Sequence, residues 1–376
     1  MLKLTPPMGW NSWNTYGKDI SGKLIMEMAD AMVDTGLLEK GYEYLVIDDC
    51  WSLKERDERG RLVADPEKFP QGMKAVADYV HGKGLKFGMY SCAGNLTCAG
   101  YPGSFEHEFV DAETFAEWGV DFLKYDYCFH SPIIPGKYLY RRMGLALENC
   151  GRDILFSACS WGADETHEWI KETGASMWRS TGDIFDGWES VKNLVKQQEK
   201  LHPFNGVGCF NDMDMLIVGM YGKGNVGLSG CTDTQYRTHF SIWALLGSPL
   251  MIGCDLRNMT KETCGILTNE EMIRINQDPA CRQPVKLTGI WNGDDMVIYS
   301  RQLCDGELAI GMFNMGPEKA PGRFNLDEVG LPSSTGKTLR MREIWTGEEF
   351  TVKNSTAIRE LEPFGCQVFR AKVVDC

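Results

Sequence analysis

The chain has 376 residues, of which 43% are hydrophobic and 24% charged, so it is long enough for a large domain with a smaller partner domain and is neither disordered nor fibrous. The 52 acidic residues outnumber the 39 basic ones and give a net charge of -13, which argues against binding to nucleic acid or to anionic membranes because both need a basic surface. We therefore expect a neutral small molecule as the partner. The composition is compatible with a homo-oligomer and does not define an oligomeric state.

The sequence contains no strong membrane or export signal. Residues 1–7 lack the apolar run of a signal peptide, and the longest apolar stretch, residues 242–254, is interrupted by Gly-Ser-Pro and is too short to cross a bilayer. We expect a cytoplasmic protein, or a secreted one if a signal has been removed.

Short apolar runs alternate with helical patterns over the first 255 residues. The runs predict eight strands, near residues 8–11, 41–49, 85–91, 121–126, 154–159, 177–183, 207–214 and 249–255. Apolar residues recur at helical spacing within the intervening segments 24–37, 73–80, 189–200 and 234–246. Strands that alternate with helices form parallel units, and eight such units predict a (β/α)8 TIM barrel. An open doubly wound sheet is the alternative, but no strand is followed by a glycine-rich nucleotide-binding motif.

The pattern changes from about Trp291 onwards. Alternation with a period of two predicts strands near residues 295–301, 307–314, 339–345 and 365–370, separated by turn signals. We therefore predict a catalytic barrel over residues 1–288 and a C-terminal antiparallel β-sandwich domain over residues 289–376.

Acidic residues stand at the carboxyl ends of the predicted barrel strands. They are Asp48, Asp49, Asp126, Asp183, Asp214 and Asp255. Functional residues of TIM barrels lie at this end of the strands, so we expect these side chains to surround one cavity. Carboxylates, aromatic rings and the near absence of histidine favour carbohydrate chemistry over a metal site, and we expect neither metal nor cofactor.

Two pairs of residues at these strand ends indicate the chemistry. Lys124 and Asp126 lie on one side of their strand, and the ammonium is expected to keep Asp126 ionised, as a nucleophile requires. Arg179 and Asp183 also share one side, so Arg179 can bind a hydroxyl or position the acid. Two carboxylates that face one cavity are the arrangement used in glycoside hydrolysis.

Other residues are suited to holding a sugar ring. The vicinal Asp48 and Asp49 can accept hydrogen bonds from two neighbouring hydroxyls. Trp13 and Trp161 can supply an apolar wall for a pyranose face.

Five segments together resemble glycoside hydrolase family 27, the family of α-galactosidases and α-N-acetylgalactosaminidases. These segments are PPMGWNSW (6–13), DDCW (48–51), CAGYPGS (98–104), KYDYC (124–128) and INQDP (275–279). The resemblance implies a retaining exo-glycosidase that uses a covalent glycosyl-Asp intermediate, with Asp126 as nucleophile and Asp183 as acid/base. It implies sugar contacts from Trp13, Asp48, Asp49, Tyr90, Lys124, Arg179, Asp214 and Met215. Asp48 and Asp49 would hold the 4- and 6-hydroxyls of a terminal α-galactosyl unit of an oligosaccharide or glycoconjugate.

The resemblance also makes predictions about cysteine and about the sugar's 2-substituent. Cys98 and Cys128 match a disulfide of the family beside the site, and Cys50 lacks its usual partner, which leaves a free thiol. The segment that contains Cys159, Ser160, Trp161 and Ala163 lies near the 2-position in the family, and its small Ser and Ala are typical of the acetamido-sugar enzymes.

Three alternatives to an α-galactosidase therefore remain. They are an α-N-acetylgalactosaminidase, a β-L-arabinopyranosidase and a sugar-binding protein without activity. The Asp48–Asp49 pair favours a galactose-configured ring with a C6 hydroxyl, and the presence of both Asp126 and Asp183 argues against loss of catalysis. We favour the α-galactosidase.

Overall fold

Eight parallel strands form the first domain of the computed structural model, which describes residues 4–289 and 292–376. Residues 1–3 of the N-terminal segment and Trp291 lie outside the described residues. The strands are β1 (Met8–Asn11), β2 (Tyr44–Val46), β3 (Lys86–Cys92), β4 (Phe122–Asp126), β5 (Leu155–Cys159), β6 (Met177–Arg179), β7 (Phe210–Asp212) and β8 (Leu250–Ile252).

The sheet closes on itself. Neighbouring strands in the chain pair from β1 to β7, and β1 also pairs with β8. Between β7 and β8 the ring is completed by Leu216, whose N–H donates to Met251 and whose carbonyl accepts from Gly253. The predicted TIM barrel is therefore confirmed.

Helices surround the barrel, and several of the longer ones bury an apolar stripe against it. They are α1 (Trp13–Tyr16), α2 (Gly22–Asp34), α3 (Met73–Gly82), α4 (Glu108–Trp118), α5 (Gly136–Asn149), α6 (Thr166–Trp169), α7 (Trp188–Gln197), α8 (Asp233–Leu246), α9 (Lys261–Leu267) and α10 (Glu270–Asn276). In α2 the cap residue Ser21 accepts the N–H of Leu24, and Ile25, Met28 and Met32 face the core. None of the described helices is both long and apolar enough to span a membrane.

The second domain consists of two antiparallel sheets. Its strands are β9 (Val285–Leu287), β10 (Met296–Gln302), β11 (Leu308–Asn314), β12 (Ala320–Asn325), β13 (Lys337–Glu343), β14 (Glu349–Thr351), β15 (Thr356–Leu361) and β16 (Cys366–Asp375). Six strands form one sheet in the order β14-β13-β16-β11-β10-β9, and β12 pairs with β15 in the other. Ile310 and Phe369 of the larger sheet pack against the smaller one, whereas Phe313 and Val368 on its opposite face join the core of the barrel.

The sheet of the second domain begins at Val285, close to the predicted boundary at residue 288. Strand β9 (Val285–Leu287) pairs with β10 in the six-stranded sheet, so the chain has left the barrel before residue 285. This strand is too short and too exposed to produce a clear alternating pattern.

Candidate active site

A cavity of about 270 Å³ opens at the carboxyl ends of the barrel strands. The predicted residues that line it are Trp13, Asp48, Asp49, Tyr90, Cys98, Lys124, Asp126, Trp161, Arg179, Asp183, Asp214 and Met215. The strands β6 and β7 end earlier than the sequence suggested, at Arg179 and Asp212. Asp183 and Asp214 consequently lie on loops beyond the sheet, which brings both over the cavity.

Asp126 is the last residue of β4 and is 6% exposed. The Tyr90 hydroxyl donates to its Oδ2 at 2.9 Å, and the N–H of Tyr127 donates to its Oδ1 at 2.9 Å. Burial raises the pKa of Asp126 to about 6, although Lys124 and these two donors act in the opposite direction. At neutral pH the carboxyl group is therefore mainly ionised and is held rigidly at the cavity wall.

Lys124 differs from the sequence expectation, which made it the partner of Asp126. Its Nζ donates to Asp48 Oδ2 at 2.8 Å, and Asn11 Nδ2 donates to the same oxygen at 2.8 Å. Burial lowers the pKa of Lys124, but the negative charges around it, with Asp48 contributing most and Cys159 and Asp126 less, together outweigh burial and hold that pKa above its ordinary value. Lys124 thus holds Asp48 in place. It also lowers the pKa of Asp126, but burial raises that pKa by more.

Arg179 connects the carboxylates of two different loops. Its Nη2 donates to Asp183 Oδ1 at 2.7 Å and its Nη1 donates to Asp214 Oδ1 at 2.8 Å. The other oxygen of Asp214 accepts the N–H of Ile184 at 2.7 Å. Asp214 therefore holds both Arg179 and the segment that carries Asp183, which is a positioning role for a residue predicted to bind the sugar.

The environments of the two candidate catalytic carboxylates differ. Asp126 is buried, whereas the side chain of Asp183 is 63% exposed at the rim. Burial raises the pKa of Asp183, but the charge and hydrogen bond of Arg179 outweigh it and hold that pKa below its ordinary value. Burial raises the pKa of Asp214. One cavity thus contains carboxylates with opposite pKa shifts, which is common at functional sites. The low pKa of Asp183 is the reverse of what a proton donor needs before it acts.

Asp49 and Cys98 form the wall next to β3. The N–H of Ala99 donates to Asp49 Oδ2 at 3.0 Å, and burial raises the pKa of Asp49. Cys98 and Cys128 form a disulfide, as the resemblance implied, and Cys98 Sγ lies 3.5 Å from Asp126 Oδ2. The disulfide ties the loop after β3 to the loop after β4, beside the candidate nucleophile. Cys50 is a free, buried thiol, as predicted.

Four predicted positions do not reach the cavity in the described structure. Ser160 is fully buried and its hydroxyl pairs with Thr166 Oγ1 at 2.6 Å, because the chain turns into a 3-10 helix at residues 163–165. Ala163 begins that helix and is not among the residues that line the cavity. Cys159 is 1% exposed and lies behind the wall, where Arg179 Nη1 approaches its sulfur at 3.8 Å. Cys128 also stands behind the wall, joined to Cys98.

Asp255 is the remaining strand-end acid, and it does not join the cluster. It caps the short 3-10 helix at residues 256–258 and pairs with Arg257 at 2.9 Å. Its role in the fold is that of a turn former.

Sequence reasoning missed several lining residues, which are Asn14, Ile184, Phe185, Asn225 and Val226. Asn225 and Val226 belong to a glycine-rich loop whose N–H groups donate to the carbonyls of Thr15 and Asn14. The glycines at 222, 224 and 227 were the available signal for a loop that must approach other backbone closely.

Known proteins are similar to this chain in both sequence and fold. Residues 5–278 match the family model described as alpha galactosidase A, and residues 293–371 match the alpha galactosidase C-terminal beta sandwich domain. Alpha-galactosidase 3 of Arabidopsis thaliana is 43% identical over 369 residues, which cover 98% of this chain and 82% of that protein.

Solved structures of α-galactosidases have the same fold as this chain. Alpha-galactosidase I of Mortierella vinacea is 33% identical with a TM-score of 0.91, and the alignment covers 98% of this chain and 97% of that one. The Saccharomyces cerevisiae α-galactosidase solved with raffinose is 30% identical with a TM-score of 0.88, over 99% and 98% of the two chains. The chain belongs to the α-galactosidase family, glycoside hydrolase family 27.

Proposed function

We propose that this glycoside hydrolase removes terminal α-D-galactosyl residues from oligosaccharides with retention of configuration. The observation that carries the proposal is the pair of carboxylates in one cavity, Asp126 buried in the wall and Asp183 exposed at the rim. Relatives support the same activity, since proteins that are 42% to 43% identical over 98% of this chain are α-galactosidases.

The first step is nucleophilic attack by Asp126. One carboxylate oxygen forms a bond to the anomeric carbon while the bond from that carbon to the leaving oxygen breaks, and the leaving oxygen takes a proton from Asp183. In the second step Asp183 removes a proton from water, whose oxygen displaces Asp126 and releases galactose. Tyr90 and the N–H of Tyr127 orient the two oxygens of Asp126 so that its position needs no rearrangement during attack.

Asp183 must carry a proton to act in the first step, although Arg179 favours its ionised form. A sugar hydroxyl that accepts a hydrogen bond from Arg179 would replace part of the Arg179–Asp183 interaction. The pKa of Asp183 would then rise when substrate binds, which is the direction that proton donation needs.

Recognition of galactose rests on Asp48 and Asp49. Both are buried at 2% exposure and both line the cavity, so each can accept a hydrogen bond from a sugar hydroxyl in a dry environment. The hydroxyl of Ser160 is bonded to Thr166 and is not directed at the cavity. An acetamido group at the 2-position would therefore lack the Ser160 hydroxyl as a hydrogen-bond partner. This favours galactose, which has a hydroxyl at that position.

The decisive experiment compares kcat/KM for nitrophenyl glycosides of α-galactose, α-N-acetylgalactosamine and β-L-arabinopyranose. We expect a preference for galactose of at least about 100-fold, because a buried polar site rejects substrates that leave its groups unpaired. A Ser160→Ala variant is the matched control, and it should leave the preference unchanged. Preference for the acetamido sugar would overturn the assignment of galactose as the substrate. If none of the three glycosides is hydrolysed, the assignment as an enzyme would be overturned.

A further inference from the structure

A carboxylate that the two displacement steps do not use lies three residues beyond Asp183. Asp186 is fully buried and does not line the catalytic cavity. Burial raises the pKa of Asp186, while the hydrogen bonds that its carboxylate accepts act in the opposite direction. A carboxylate in such a place costs free energy unless donors surround it, so its partners indicate what it does for the protein.

The carboxylate of Asp186 joins two other parts of the barrel. The N–H of Gly222, in the glycine-rich loop of residues 221–231, donates to its Oδ2 at 2.6 Å. The hydroxyl of Tyr236, on α8, lies 2.9 Å from Oδ1 and 3.0 Å from Oδ2. That hydroxyl also accepts the N–H of Tyr221 at 2.7 Å, so the helix and the loop meet at this one carboxylate.

The backbone of Asp186 is bonded to the same loop. Its N–H donates to the carbonyl of Val226 at 2.9 Å, and its carbonyl accepts the N–H of Gly230 at 3.0 Å. Val226 lines the catalytic cavity together with Ile184, which follows Asp183. The segment that carries Asp183 is therefore fastened along the loop at the wall of the cavity.

The side chain of Asp183 is 63% exposed, so its place over the cavity is set largely by the residues that follow it. The N–H of Ile184 donates to Asp214 at 2.7 Å, and Asp186 holds the segment two residues further on. A general acid must lie within hydrogen-bond reach of the leaving oxygen, and a displacement of about 1 Å can lower a rate by about 10²-fold. Movement of this segment would therefore affect proton donation more than attack by Asp126, which lies on β4.

The arrangement requires a carboxylate at position 186 and not an amide. The Tyr236 hydroxyl accepts the N–H groups of Tyr221 and Cys231, at 2.7 and 3.4 Å. Its own proton is therefore directed at Asp186. Gly222 presents a second donor, to Oδ2. An amide would turn its NH2 group towards one of these two donors in either orientation, and a hydrogen bond would be lost.

We propose that Asp186 is a positioning residue for the acid/base. Its carboxylate fastens the segment of Asp183 to the loop of residues 221–231 and to α8, and so holds Asp183 where it can protonate the leaving oxygen. This inference rests on the proposed function, in which Asp183 is the proton donor, and adds the group that determines its place. Because Asp186 does not line the cavity, it acts on the reaction through Asp183.

The test compares Asp186→Asn with the unchanged enzyme on two substrates. Raffinose has an alcohol leaving group that needs a proton, whereas the phenolate of nitrophenyl α-galactoside leaves without one. We expect kcat/KM to fall by about ten- to 100-fold for raffinose and by less than about threefold for the nitrophenyl galactoside. A merely structural role would lower both values equally. Equal losses would therefore overturn the proposal, as would an unchanged rate on raffinose.

Two further variants serve as a second test and a control. Tyr236→Phe keeps the ring and the carboxylate but removes one donor, so a smaller selective loss on raffinose should appear even if Asp186→Asn folds poorly. Absence of that loss would overturn the proposal. Glu343→Gln makes the same exchange at a buried carboxylate on β13 of the second domain, which accepts the N–H groups of Thr346 and Val368. This control should leave the ratio of the two kcat/KM values unchanged, and a selective loss there would overturn the proposal.

Asp183→Ala, measured on the same two substrates, separates this inference from the proposed function. If Asp183→Ala loses activity selectively on raffinose and Asp186→Asn does not, the acid/base role stands and the positioning role is overturned. If Asp183→Ala loses activity equally on both substrates, the acid/base role itself fails, and the positioning role fails with it.

Discussion

The mouth of the barrel buries charged side chains, whereas the interior of the β-sandwich buries apolar ones. At the mouth, Asp126 and Asp214 are buried and burial raises both their pKa values. Between the two sheets of the sandwich, the space is filled by apolar side chains such as Ile310, Phe324 and Phe369, each at most 1% exposed. A buried carboxylate costs free energy unless it is fully paired, whereas a packed apolar side chain stabilises the fold.

The backbone at the mouth is unusual as well. Cys50, Trp161 and Asp214 follow strands β2, β5 and β7 and adopt positive φ angles of 70°, 58° and 76°, which residues with a side chain rarely adopt. Residues in such conformations are retained where the surroundings over-determine them, and they occur often at active sites. The barrel mouth therefore favours the geometry of the reaction over stability, while the sandwich favours stability. Substitutions in the two regions should therefore have opposite consequences.

The largest effect is expected from Asp126→Ala. Removal of the nucleophile should lower kcat/KM for nitrophenyl α-galactoside by about 10⁴-fold or more without unfolding the protein, as measured by steady-state kinetics and circular dichroism. Azide should restore part of the turnover of this variant, because a small anion can enter the vacated space and attack the anomeric carbon. A rate near that of the unchanged enzyme would contradict the assignment.

Asp183→Ala should have a smaller effect that depends on the leaving group. We expect a loss of about 10²- to 10⁴-fold on raffinose, whose leaving alcohol needs a proton, and a much smaller loss on a nitrophenyl galactoside, whose phenolate leaves without one. Kinetics on both substrates measure the difference. Equal losses would show that Asp183 is not the proton donor.

In the sandwich, Phe369→Ala should destabilise the fold without changing the chemistry. Loss of this fully buried ring should lower the free energy of unfolding by about 3–5 kcal/mol, as measured by denaturant titration, while kcat of the folded protein stays unchanged. Ile358→Ala, at a position 55% exposed on β15, is the control and should change stability little. A large drop in kcat for Phe369→Ala would mean that the two regions are coupled.

Asp126→Asn should act in the opposite direction on stability. Because burial raises the folded-state pKa of Asp126 to about 6, the protonated form favours folding, and that contribution is lost as the pH rises through about 6. A neutral side chain removes this loss, so the variant should be more stable than the unchanged protein at pH 7 by about 1–3 kcal/mol. Denaturant titrations at pH 4 and pH 7 should show a small difference at the lower pH and a clearly larger one at the higher pH, because the contribution is lost between the ordinary pKa of aspartate and about 6. A variant that is less stable than the unchanged protein at pH 7 would contradict this expectation.

The smallest effect concerns the pH profile of catalysis. Since Asp126 must be ionised to attack, kcat/KM should fall by about tenfold for each pH unit below about pH 6. A rate profile on nitrophenyl α-galactoside between pH 4 and pH 8 measures this acid limb. A limb near the ordinary pKa of aspartate would mean that substrate-free Asp126 is better solvated than the structure shows.

The sequence predicted the elements that have a strong local pattern. The barrel strands are buried on both faces and appear as continuous apolar runs, and the strand-end position of Asp48, Asp49 and Asp126 followed directly from those runs. The pairing of Lys124 with Asp48 joins residues 76 positions apart and has no local signature. The same is true of the buried position of Ser160, which depends on the turn into the 3-10 helix after it.

Asp126 and Asp183 act in the proposed reaction as nucleophile and acid/base. The most direct test of these roles is proton NMR of the galactose that is first released from nitrophenyl α-galactoside, before its anomers equilibrate. Two successive displacements at one carbon predict that α-galactose appears first and the β-anomer later. If β-galactose appears first, a single displacement by water takes place and Asp126 is not a covalent nucleophile.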